Sequence, residues 1–125
     1  MSSEHLEQVT FFSTLKYLED RYPELKYIFA VPNGGFRHPL EAKRLVEEGV
    51  KKGVPDIICP FAHNGYIGLA IEMKYGRNKQ SEEQVTYQTI LEAAGWLYKV
   101  CYSGIEALIT TSAYLGIPEL TSALQ

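Results

Sequence analysis

No stretch of this chain is apolar for long enough to cross a bilayer, and its first residues carry neither the basic nor the apolar segment of a secretory signal. A cytoplasmic address is expected, with no membrane partner. Cysteine is scarce: Cys59 and Cys101 both sit in apolar, strand-like stretches, which predicts buried free thiols rather than a disulfide or a metal cage. The three histidines, His5, His38 and His63, share no spacing that would make a metal site, and His63 falls in a turn region. There are no repeats, no low-complexity segment, no linker, and no helix-turn-helix or zinc finger to read base edges. What remains is a single domain over residues 1–125, long enough to bury about two-thirds of its unfolded surface.

The chain also lacks a positive excess, its net charge being −3. The average conceals a segregation. Between residues 37 and 79 lie eight bases, Arg37, Lys43, Arg44, Lys51, Lys52, Lys74, Arg77 and Lys79, against the five acids Glu41, Glu47, Glu48, Asp56 and Glu72. That segment carries +3, while the remainder holds four bases and ten acids. A phosphate backbone would meet a locally positive surface. Lys43 and Arg44 fit a solvated helix face equally well.

Turn signals divide the chain. Apolar Phe11, Leu15, Leu18 and Tyr22 predict a first helix over residues 4–20, with Ser2 or Ser3 as cap and Glu7 one turn before Phe11 on the inward face. Residues 27–31 predict a short strand, stopped by Pro32-Asn33-Gly34-Gly35, and Pro39 opens a helix to about Glu48. Strands are expected over residues 54–61 and 66–74, joined at Asn64-Gly65, the strongest short-range hairpin signal. In the second strand Gly68, Ala70, Glu72 and Lys74 share one face, with Ile67, Leu69, Ile71 and Met73 on the other. Ser81-Glu82-Glu83-Gln84 reads as a capping box opening a helix that ends at Gly95. A strand over residues 96–102 follows, whose Trp96, Tyr98 and Tyr102 alternate as packing residues would. A helix over residues 105–114 comes next, and then a tail over about 117–125. The order α-β-α-β-β-α-β-α describes an α/β fold, a mixed sheet flanked by helices.

The hairpin carries the chemistry. Asp56, after Pro55, and the Glu72-Met73-Lys74 triplet put two carboxylates and an amine on adjacent strands. Two carboxylates about 4 Å apart repel by roughly 4 kcal/mol at an effective dielectric near 20. A divalent cation removes that conflict, and oxygen ligands of this kind suit Mg²⁺ or Mn²⁺ beside a bound phosphate. Glu72 is hard to explain otherwise, because burying an unpaired carboxylate is costly.

In order along the chain, Glu7, Pro32-Asn33-Gly34-Gly35-Phe36-Arg37, Gly53-Val54-Pro55-Asp56, Glu72-Met73-Lys74, Ser81 to Gln84 and Tyr114-Leu115 form a pattern that resembles the VRR-NUC family of the PD-(D/E)xK nuclease superfamily, with its restriction-endonuclease-like fold. Stand-alone phage proteins belong to that family, as do larger repair enzymes. Two positions depart from it: Ala30-Val31 stands where a histidine is usual, and Gln80 where a leucine is usual. The resemblance implies that Asp56, Glu72 and the main-chain carbonyl of Met73 bind the metal, with Glu7 reaching it directly or through water. It implies that Lys74 orients the attacking water, and that Gln84 holds Lys74 or a phosphate in register, unless Gln84 only closes its capping box. DNA contacts would come from Asn33, Gly34, Gly35, Arg37, Lys43, Arg44, Lys51, Lys52, Arg77 and Lys79.

The reading that follows is a Mg²⁺- or Mn²⁺-dependent DNA endonuclease selective for four-way (Holliday) junctions or flaps in replication, recombination or repair. It would act in the host cytoplasm if phage-encoded. One small domain has one such site, so symmetric cutting of two strands calls for a homodimer. The rivals are a DNA-binding module that keeps the fold without turnover and a small α/β regulatory domain.

Overall fold

The computed structural model describes residues 3–32 and 38–122, and across them a four-stranded sheet is packed between helices. The elements are α1 (Ser3–Leu18), a 3₁₀ turn (Pro23–Tyr27), β1 (Phe29–Ala30), α2 (Pro39–Glu47), β2 (Ile57–Cys59), β3 (Leu69–Met73), α3 (Glu82–Ala94), β4 (Leu97–Cys101), α4 (Gly104–Leu115) and α5 (Glu119–Ser122). The sheet order is β1-β2-β3-β4, with β1 and β3 antiparallel to β2 and β4 parallel to β3. A parallel neighbour requires a crossover, which α3 supplies.

The β2–β3 hairpin closes as its sequence dictates. Asn64 and Gly65 both have positive φ, 52° and 83°, the pair of values a type I′ turn demands, and His63 bridges Tyr66 across it. Tyr114 ties this hairpin to α4: its hydroxyl donates to the Phe61 carbonyl at 2.7 Å, while Asn64 Nδ2 donates to the Tyr114 carbonyl at 2.9 Å. The strands are shorter than their apolar runs. Pro23 opens the 3₁₀ turn, which takes residues up to Tyr27 away from β1, and the main-chain pairing of β3 begins only at Leu69.

The core lies on one face of the sheet. Ile57, Cys59, Leu69, Ile71, Met73 and Cys101 pack there with Phe11, Leu15 and Leu108. The two cysteines are buried free thiols, as expected. Residues 117–122 are not a loose tail: Ile117 and Leu120 are buried in the same core, and α5 packs on α1 and α4. Burying two large apolar side chains is worth about 1.5–3 kcal/mol each, enough to fold a short segment back.

The other face is different in kind. It carries Ala70, Glu72 and Tyr98, all buried, under α3 and the segment leading into it. Gly68 is required at its end, because a Cβ there would come within 2.4 Å of the Trp96 ring. Among the described residues no helix is long and apolar enough to cross a membrane.

Candidate active site

Register brings the two acids together. Ile57 pairs with Ile71, and the Asp56 N–H donates to the Ile71 carbonyl at 2.9 Å, so one further step sets Asp56 beside Glu72. The Asp56 carboxylate is held in place by the Met73 N–H, which donates to Oδ2 at 2.7 Å. The Asp56 carbonyl in turn accepts the Val31 N–H at 2.8 Å, anchoring the end of β1 to the same point.

Glu72 is fully buried. Its Oε1 accepts the Tyr98 hydroxyl at 2.7 Å and Gln80 Nε2 at 3.0 Å, while its Oε2 is buried and has no hydrogen-bond partner. Leaving a buried acceptor unsatisfied costs about 1–3 kcal/mol, and more for a charged group. Burial, the hydrogen bond to Glu72 and the negative charges of Glu72, Asp56 and Glu92 push the Tyr98 phenol well above its ordinary pKa.

Lys74 follows β3, is half-buried, and lines a cleft of about 660 Å³ with Asp56, Met73 and Tyr75. The opposite wall comes from α1, through Glu4, His5, Gln8, Val9 and Phe12. The Tyr75 hydroxyl donates to the Glu4 carbonyl at 3.2 Å. Burial first, then the charges of Asp56, Glu4 and Glu7, push its phenol up to about 12. Acidic groups from α1 and from the hairpin thus converge on one end of the sheet.

Glu7 has a partner of its own: its Oε1 accepts the Gly104 N–H at 2.8 Å, at the N-terminus of α4, where a carboxylate is favoured by the helix dipole. Gln84 closes the capping box in both directions, its Oε1 accepting the Ser81 N–H at 2.8 Å while its own N–H donates to Ser81 Oγ at 3.2 Å. That geometry fits the capping alternative weighed for Gln84. Lys43 and Arg44 are exposed on α2, Lys51 and Lys52 are exposed in the loop after it, and Arg77 and Lys79 are exposed after β3. Asn33, Gly34, Gly35 and Arg37 lie outside the described residues.

Sequence reasoning missed two residues that touch Glu72. The sequence pattern gives Tyr98 as a packing residue in the core or at an interface, with base stacking as its alternative, and Gln80 as a departure from the family pattern; neither reading links them to Glu72. The available signal for Tyr98 was its parity in the strand, since a hydroxyl on a buried face needs an acceptor.

The arrangement of strands and helices has a counterpart among solved structures. A protein described as a "VRR_NUC domain protein" superposes with a TM-score of 0.74 at 23% sequence identity, over 94% of this chain and 91% of that one. The chain has the VRR_NUC fold. No protein-family model and no curated protein matches it. The strong structural overlap at low identity is what a fold held by a few positions allows. Within the VRR_NUC fold of this chain, Asp56 and Glu72 lie side by side at the open end of the β2–β3 hairpin.

Whether a divalent cation suits these residues can be judged from their own chemistry. Among the described residues, no three His, Cys, Asp or Glu side chains cluster as ligands. Mg²⁺ does not need three, since it retains several waters and is held through one or two carboxylates together with substrate phosphate. Oxygen donors from Asp56 and Glu72, one of them the unpartnered Glu72 Oε2, meet that requirement.

Proposed function

We propose that the protein is a divalent-metal-dependent DNA endonuclease that hydrolyses phosphodiester bonds and selects structured DNA such as four-way junctions or flaps. The observation that carries this reading is Glu72, a fully buried carboxylate beside Asp56 with one oxygen left without a partner. A module that only bound DNA would gain nothing from such a group, which destabilises the fold unless a cation meets it.

Asp56, Glu72 and the Met73 carbonyl would hold Mg²⁺ or Mn²⁺, with Glu7 reaching it through water while its Oε1 stays on Gly104. The chemistry such an ion supplies is positive charge against the phosphoryl oxygens and a more acidic water. Lys74, in the cleft beside Asp56, orients the attacking water and offsets charge that develops on the phosphoryl group during in-line attack. Met73 fixes the direction of the Asp56 carboxylate through its N–H. Lys51, Lys52, Arg77 and Lys79 supply phosphate contacts on the exposed surface, with Lys43 and Arg44 on α2. Symmetric cutting of a junction would use a homodimer in a cytoplasmic setting, replicative, recombinational or repair-linked.

The test is a panel of labelled duplex, flap, splayed and four-way substrates incubated with Mg²⁺, Mn²⁺ or EDTA. Metal-dependent cleavage concentrated at branch points is the expected result. Binding without any cleavage in either metal would favour the non-catalytic module instead.

A further inference from the structure

Glu72 is held asymmetrically, and the asymmetry has a source in three side chains outside the acid pair. Both donors that reach the carboxylate, the Tyr98 hydroxyl at 2.7 Å and Gln80 Nε2 at 3.0 Å, go to the same oxygen, Oε1. A contact that served only to satisfy a buried acid would spread its donors over both oxygens, since an ionised carboxylate offers about four acceptor sites. Here Oε2 receives none.

The carboxamide of Gln80 cannot turn over freely. Its nitrogen donates a second time, to Gln88 Oε1 at 2.8 Å, so both N–H groups are used. A flipped amide would set its own oxygen against both Glu72 and Gln88 Oε1. Gln88 is directed in its turn by a longer contact from its Nε2 to Glu92 one turn on, at 3.5 Å. Tyr98 pairs in register with Ala70, two residues from Glu72 on the same face, and from there its hydroxyl reaches Glu72.

We infer that Tyr98 and Gln80 are positioning residues that hold one oxygen of Glu72 so that the other is presented to the divalent cation, with Gln88 fixing the orientation of Gln80. The inference rests on the proposed nuclease reading and extends it to how α3 and β4 set the metal affinity. Neither residue touches substrate or water in this role. Their effect passes through Glu72 alone.

The experiment is a Mn²⁺ titration of the full chain, with free Mn²⁺ followed by electron paramagnetic resonance, for wild type, Tyr98→Phe and Gln80→Leu. The Mn²⁺ giving half-maximal cleavage of a labelled four-way or flap substrate is measured in parallel. Loss of an outer hydrogen bond of this kind weakens metal binding by about 10- to 100-fold. Each variant should therefore show a dissociation constant raised by that factor, and cleavage restored by excess Mn²⁺. A purely structural contact would lower the number of competent sites per chain without moving the dissociation constant, and that pattern overturns the inference. Gln80 is only partly buried, so Gln80→Leu decides the matter should Tyr98→Phe fold poorly. Wild type that binds no Mn²⁺ and cleaves nothing removes the nuclease reading and this inference together. Wild type that does both, with variants unchanged within twofold, removes this inference alone.

Discussion

One oxygen of Asp56 accepts the main-chain N–H of Met73 at 2.7 Å, across a hairpin that separates the two by 17 positions. The bond makes the acid part of the strand pairing, so its direction is set by the same register that places Glu72. Asp56→Asn keeps an acceptor for Met73 and should fold, with a melting temperature close to wild type. Cleavage should fall by about 100-fold or more, as removal of one electrostatic group at a reacting centre does. Melting and initial rates measured on one preparation check both halves. Wild-type rates with Asp56→Asn would remove the acid from the site.

Glu72→Gln separates stability from activity. Replacing a buried charge by a neutral amide removes a desolvation cost, so in EDTA the variant should melt at the same temperature as wild type or higher. Adding Mn²⁺ should raise the melting temperature of wild type and leave the variant where it was. Calorimetry with and without the ion reads this directly, and a variant that melts well below wild type in EDTA would mean that Glu72 is a structural acid.

Gly53 links the basic loop to α3. It has a φ of +81°, and a Cβ there would lie 2.5 Å from the Glu83 Cβ and 2.9 Å from the Gln84 nitrogen. Gly53→Ala should destabilise the chain by more than about 1 kcal/mol, because the backbone conformation and the space both oppose a side chain. Urea unfolding measures it, with Gly49→Ala as a control of positive φ in open space.

Acid sensitivity should report on α5. The Tyr22 hydroxyl donates to Glu119, with Arg21 paired to the same carboxylate, and that hydrogen bond holds the Glu119 carboxyl below its ordinary 4.5. A lowered folded pKa means stability that is present above pH 4.5 and lost as pH falls through the lowered value. Tyr22→Phe should therefore flatten that part of the pH profile, by a small amount because the contact is only part-buried and solvent screens it. Denaturant midpoints between pH 6 and pH 3, for both proteins, would show parallel curves if the contact carries no weight.

Salt dependence should locate the DNA surface. Each lysine that meets a duplex phosphate adds about 0.9 to the slope of log affinity against log salt. Lys51→Ala and Lys52→Ala should each reduce the slope by up to that amount, with little change in branch preference. Unchanged slopes for both would move the DNA away from this loop.

How much of this was legible in the sequence follows from which interactions are local. The Asn64-Gly65 turn, the Ser81 to Gln84 capping box and the left-handed Gly95 at the end of α3 depend on a few adjacent residues, and each forms where its residues predict. The alternation of β3 is local too, so Leu69, Ile71 and Met73 face the core and Glu72 the other side. Ile67 departs from that pattern and is exposed, because it lies before the paired strand. The parallel pairing of β3 with β4 depends on a crossover and has no short-range signature. It alone brings the Tyr98 hydroxyl to Glu72. The 3₁₀ turn at Pro23–Tyr27 takes only Tyr27 from the strand expected over residues 27–31, and it forms because Pro23 favours a helical first turn. The core role of Ile117 and Leu120 was hidden for the same reason as Tyr98: their partners lie far away in the chain.

The central claim is that Asp56 and Glu72 form one cation-dependent centre for phosphodiester hydrolysis. Its most direct measurement is cleavage of a labelled four-way junction by wild type and Glu72→Gln, purified in parallel, in Mn²⁺ and in EDTA. Product is expected in wild type with Mn²⁺ and in none of the other three reactions. Product in EDTA, or at equal rate from Glu72→Gln, would contradict that claim.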